Sequence, residues 1–158
     1  MIGAALLLLA AAAGEGRVPL GVWQGWAAFR DAAPQRCFAI AAPLRAGAAS
    51  RWRPFSSVLS RFGADRRGAV FVRLSTNIRP GAPVTLAIGD RRFTLSARGS
   101  AAWSPDAATD HAIVAAMRGS RSMSVSTVAA SGRPFADTYA LPGAASAIDA
   151  AALGCTNR

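Results

Sequence analysis

The chain holds two cysteines, Cys37 and Cys155, with more than a hundred residues between them. Metal centres and redox pairs draw their ligands from short spacings such as Cys-x-x-Cys, so this pair fits neither. It does fit a disulfide between Cys37 and Cys155, which would tie the second predicted strand to the end of the chain. In the chain-entropy account, closing so long a loop stabilises a fold by roughly 4–5 kcal/mol. Two buried free thiols are the competing reading, and the redox state of the compartment decides between them.

The first thirteen residues bear on that compartment. Met1 to Ala13 carry no charge and contain Leu6-Leu7-Leu8-Leu9 followed by four alanines. Ala11 and Ala13 are small residues where a signal peptidase requires them, and Gly14-Glu15-Gly16 is polar and flexible. This predicts a signal peptide over 1–13, cleavage after Ala13, and a single domain over 14–158 in the periplasm or secreted. A membrane span needs about 20 apolar residues, which this run does not reach. The run lacks a preceding Arg or Lys, and a translation start assigned too far downstream would account for that. No cysteine follows it before Cys37, so a lipid-modified cysteine is not expected.

The formal charge is +10, and all eighteen basic residues are arginine. An arginine-only composition is a bias that GC-rich coding favours, so function cannot be assigned to every one. Positive potential nonetheless favours anionic partners, and outside the cytoplasm those are lipid headgroups and acidic glycans rather than nucleic acid.

Punctuated short apolar runs set the architecture. Val22 to Phe29 reads as one strand and Arg36 to Ala41 as a second, ended by Pro43. Residues 45–67 are irregular, with part of them a candidate edge strand. In Ala69 to Leu74, Val70, Val72 and Leu74 share one face. After a turn at Arg79-Pro80-Gly81, Val84, Leu86 and Ile88 alternate again. Gly89-Asp90 then predicts a type II′ hairpin, with glycine at the position requiring positive φ, and Arg91 to Ser96 returns. Ser104 as N-cap, Pro105 at the first helical position and Asp106 in the first turn predict a helix over 105–118. Its buried stripe is Ile113, Ala116 and Met117, and Gly119 follows as a C′ glycine. Ser122 to Ala129 and Pro134 to Leu141 read as strands. A short helix over 143–154 would align Ala145, Ile148, Ala152 and Cys155. Short strands with two short helices predict a mainly β fold, an antiparallel β-sandwich.

Three stretches together resemble the invasion-associated locus B (IalB) family of exported bacterial proteins. They are Trp23-Gln24-Gly25-Trp26 with Arg36-Cys37-Phe38-Ala39-Ile40 downstream, the run from Arg79 to Gly89, and the ending from Tyr139 to Asp149. The resemblance implies a periplasmic or surface-associated β-sandwich without a known catalytic activity. Members commonly carry a further cysteine pair in mid-domain, and Phe93 to Trp103 holds none.

Chemistry-bearing residues are sparse. His111 is the sole histidine, near Asp106 and Asp110, and no Gly-x-Ser-x-Gly elbow presents a nucleophile to it. Eight acids select no carboxylate pair, and neither a metal nor a cofactor is expected. The best candidate for a functional surface is an anion-binding patch of Arg45, Arg51, Trp52, Arg53, Arg61, Arg66 and Arg67. Arginines interleaved with rings can grip phosphates, acidic sugars or headgroups through charge-assisted bonds. The competing reading is a solvated loop whose aromatics close one end of the sandwich. These observations predict a non-catalytic envelope protein that binds an anionic envelope component or another protein, with peripheral membrane contact. The alternative is a small hydrolase acting on an envelope polymer.

Overall fold

The structure is a computed structural model that describes residues 16–61 and 67–156, without the side chains of Arg61 and Arg67. The predicted leader and its cleavage site, together with Phe62, Asp65 and Arg66, lie outside the described residues. In chain order the strands are β1 (Arg17–Trp23), β2 (Trp26–Asp31), β3 (Arg36–Ala41), β4 (Phe55–Arg61), β5 (Arg67–Arg73), β6 (Val84–Ile88), β7 (Arg91–Arg98) and β8 (Ala101–Trp103). Helix α1 (Ala107–Arg118) follows, then β9 (Ser122–Val128), β10 (Pro134–Ala140) and α2 (Ala144–Gly154).

Pairing runs β1-β2-β3-β4-β5-β8-β7-β6-β9-β10, antiparallel throughout. Strand β7 belongs to both layers of the sandwich: Arg91 to Leu95 pair with β6, and Ser96 to Arg98 pair with β8. The mainly β, antiparallel expectation therefore holds. A second connection joins the layers where the segment after β3 runs beside β10. There Leu44 N–H donates to the Thr138 carbonyl at 2.7 Å, and Thr138 N–H to the Arg45 carbonyl at 2.9 Å. Asp137 secures this junction from within, accepting bonds from Gly47 N and Ser75 N, each at 2.8 Å, and from the Ser75 hydroxyl.

Period-2 alternation selects the inner faces. Val70, Val72, Val84, Leu86, Ile88, Met123 and Val125 are all buried, as are Ile113 and Met117 of α1. Helix α2 contacts β1, β2 and β3, and Cys155 at its C-cap is bonded to Cys37 of β3. The Cα atoms are 5.7 Å apart, within the span a disulfide bridges.

Several local expectations are corrected. The single strand expected over 22–29 is a hairpin: Gln24, at φ +52, and Gly25 reverse the chain, and Trp23 pairs with Trp26. Trp26 then turns fully inward, its indole N–H donating to the Ala140 carbonyl at 2.8 Å. The candidate edge strand in 45–67 is β4, an interior strand between β3 and β5. Its Ser56, Ser57 and Ser60 are buried, which is why it did not read as a core element. Residues 101–103, for which no strand is predicted, form β8. The N-cap of α1 is Asp106, accepting from Thr109 N–H at 2.7 Å, while Ser104 Oγ bonds the Asp106 carbonyl. Gly119 ends the helix at φ −102 rather than in the left-handed region. The buried stripe of α2 is Ala144, Ala147, Ile148 and Ala151; Ala145 and Ala152 are only half-buried. The Gly89-Asp90 turn is as expected, with Gly89 at φ +59.

Candidate functional site

An antiparallel sheet with one solvated face ordinarily places polar residues there. The face of β2–β5 and β8 opposite the disulfide does not follow this rule. Across the strands, the register aligns Phe29, Phe38, Leu59 and Ala69 in one row. The next row holds Ala27, Ile40, Ser57, Phe71 and Trp103. Phe29, Ile40, Phe55, Leu59 and Phe71 are half-buried, and Trp103 is 38% exposed. Four of the six phenylalanines among the described residues lie on this face, and their rings pair as Phe29–Phe38 at 5.7 Å and Phe55–Phe71 at 5.8 Å. From Phe38 and Ile40 of β3 onward, these rows, with Phe55, form the floor of an open groove of about 570 Å³, walled by Trp103, Ser104 and Asp110 on one side and by Arg17 and Arg36 on the other.

Charge borders this floor at both ends of the strands. At one end Arg17 and Arg36 converge on Asp31, with Arg17 Nε to Oδ1 at 2.7 Å, Arg17 Nη2 to Oδ2 at 3.0 Å and Arg36 Nε to Oδ2 at 2.9 Å. The Arg17 bonds most of all, helped by those of Arg36 and opposed by desolvation, bring the Asp31 carboxyl down to about 2. Both guanidiniums lie over the Phe38 ring, at 5.1 Å for Arg17 and 5.7 Å for Arg36. Two cations against one anion leave this corner net positive. At the other end, Arg73 pairs with Phe55 and stacks over the Trp52 ring at 4.8 Å.

The anion-binding patch read from the sequence is divided by the structure. Arg45 is exposed beside β10 and Arg51 and Arg53 are exposed just before β4, whereas Arg61 ends β4 opposite Arg36 and Arg67 opens β5. The seven residues of β4 hold Arg51 and Arg53 roughly 20 Å from Arg61 and Arg67. Trp52 is anchored, its indole N–H donating to the Leu74 carbonyl at 2.7 Å. The sequence pattern alone does not reveal the apolar floor between the groups, nor the part played by Arg17, Asp31 and Arg36. A signal existed in Cys37-Phe38-Ala39-Ile40-Ala41, where both faces of one strand are apolar.

His111 is exposed and does not line the groove. Its neighbour Asp110 does, buried, with Oδ1 accepting Val70 N–H at 2.9 Å beyond the point where β8 stops pairing with β5. That carboxylate takes the place of a strand acceptor and closes an otherwise open sheet edge.

No protein-family profile and no curated protein sequence matches the chain. In three dimensions it is similar to invasion associated protein B from Bartonella henselae, at a TM-score of 0.63 and 16% identity, covering 89% of this chain and 99% of that one. At such an identity the likeness shows the fold, and it bears out the IalB-like architecture expected from the sequence motifs.

Proposed function

We propose that this is an extracytoplasmic, non-catalytic binding protein of the bacterial envelope, which recognises an anionic envelope component on the outer face of β2–β5 and β8. The observation that carries this reading is the apolar face bordered by arginine, with Arg17 and Arg36 at one end and Arg73 at the other. Rings beside guanidiniums suit a partner that brings negative charge next to hydrocarbon, as a membrane surface does. The Cys37–Cys155 bond and the IalB-like fold favour a location beyond the cytoplasmic membrane.

The test is cosedimentation of the protein with vesicles of anionic and of zwitterionic phospholipid over a range of salt. Retention on the anionic vesicles alone, falling as salt rises, is expected, because contacts between exposed charges weaken with ionic strength. Retention that ignores both lipid charge and salt would remove the reading.

A further inference from the structure

We propose that the groove on the outer face of β2–β5 and β8 is a binding site for a single long-chain fatty acid, with its carboxylate at Arg17 and Arg36 and its hydrocarbon chain lying along the floor toward Trp103. This deepens the proposed function and rests on that reading of the outer face.

The dimensions point to one chain. From Arg36 to Trp103 the floor advances four residues along the strands, about 13 Å, and crosses from β3 through β4 and β5 to β8, three spacings of about 4.8 Å, so its diagonal is about 19 Å. That length, running from the arginine corner to Trp103, matches one extended hydrocarbon chain. The groove volume of about 570 Å³ lies within the roughly 300–1,000 Å³ of small-molecule sites.

The chemistry changes along the trough in the order such a ligand requires. At the β1–β3 corner, Arg17 and Arg36 exceed Asp31 by one positive charge, and their side chains are 51% and 38% exposed. Arg36, which lines the groove, uses Nε for Asp31, and its terminal nitrogens have no hydrogen-bond partner among the described residues. From there the floor runs through Phe38, Leu59, Ile40 and Phe71 to Trp103, with the Ser57 hydroxyl among them. The paired charge of Asp31 holds the two guanidiniums in place beforehand, so binding an anion requires little ordering.

The experiment uses the full chain with its disulfide intact. Saturable binding of 11-(dansylamino)undecanoic acid is followed by dansyl fluorescence, and palmitate and hexadecanol are then compared as competitors. Palmitate should displace the probe, and hexadecanol should compete about tenfold more weakly for want of charge-assisted bonds. Arg36→Gln should remove that difference. Leu59→Ser should weaken both competitors, and Trp103→Ala, at an exposed position, gives the same readout should the Leu59 variant not fold. Absence of saturable binding, equal competition by palmitate and hexadecanol, or affinities unmoved in every folded variant would each overturn the site. Light scattering is recorded alongside, and a dimer that excludes the probe would assign the groove to a second copy and overturn it as well. Loss of probe binding with salt-sensitive vesicle retention preserved removes the fatty-acid site alone; loss of both removes the proposed function with it.

Discussion

Asp137 and Asp31 show how differently two buried carboxylates are used in this chain. Asp137 is inaccessible, and its oxygens accept Gly47 N–H, Ser75 N–H and the Ser75 hydroxyl, so it ties three chain segments together. An amide is nearly the same shape but turns one acceptor oxygen into a donor that must face another N–H. Asp137→Asn is therefore expected to cost about 2–3 kcal/mol, read as a lower urea midpoint. Asp31 works through charge. Its carboxyl is held down from 3.8 to about 2, first by the Arg17 bonds, against the opposing effect of desolvation, and then by those of Arg36. A carboxyl depressed in the folded state adds stability that is fully present above its unfolded pKa and is lost as pH falls through the folded one. The loss from this group should thus fall between about pH 4 and pH 2. Its size should be about 1 kcal/mol, because both arginines reach solvent and are screened. Urea titrations across that window should show the drop in the parent protein and a flatter profile in a variant carrying Arg17→Gln and Arg36→Gln.

At the scale of elements, the legible parts were those in which one local rule acted alone. The alternation of Val84, Leu86 and Ile88 and the glycine at position 89 give β6, its turn and the start of β7 without help from elsewhere. What tertiary contacts decide was not legible. Trp23 to Trp26 carries no Asn-Gly or Asp-Gly signal, and its reversal places Gln24 at positive φ, which sequence preference argues against. Strand β4 needs its neighbours on both sides before buried serines make sense, and β8 is three residues long. The start of α1 is legible to within two residues, because Ser104 and Asp106 both suit a cap and only geometry shows which side chain reaches the Thr109 amide. Replacing that side chain separates the two assignments. Asp106→Ala should lower stability by about 1 kcal/mol in thermal or urea unfolding, within the usual range for a lost N-cap. Ser104→Ala should cost less, since the Ser104 hydroxyl donates to a carbonyl and caps no helix amide.

For the whole molecule, the disulfide and the packing of α2 secure the same region by different physical means. The helix buries Ala144, Ala147, Ile148 and Ala151, contacts that belong to the folded state alone. The bond between Cys37 and Cys155 spans 118 positions, and its main effect in the chain-entropy account is to restrict the unfolded chain. Replacing both cysteines with serine should lower stability by about 4–5 kcal/mol, a large share of the roughly 5–15 kcal/mol typical of a domain. Because the freed unfolded chain is more open, the denaturant slope m should rise as the midpoint falls. Ile148→Ala, by contrast, should cost about 2–4 kcal/mol through lost burial with m nearly unchanged. The two variants thus separate crosslink from packing in a single set of urea curves. A double-serine protein with an unaltered slope would mean that the bond acts chiefly on the native contacts around Cys37. The outer face provides the control: α2 and the bond lie behind the opposite side of β3, so the folded double-serine protein should bind anionic vesicles as the parent does. Loss of that binding would show that the arginine-bordered face depends on the crosslink for its shape.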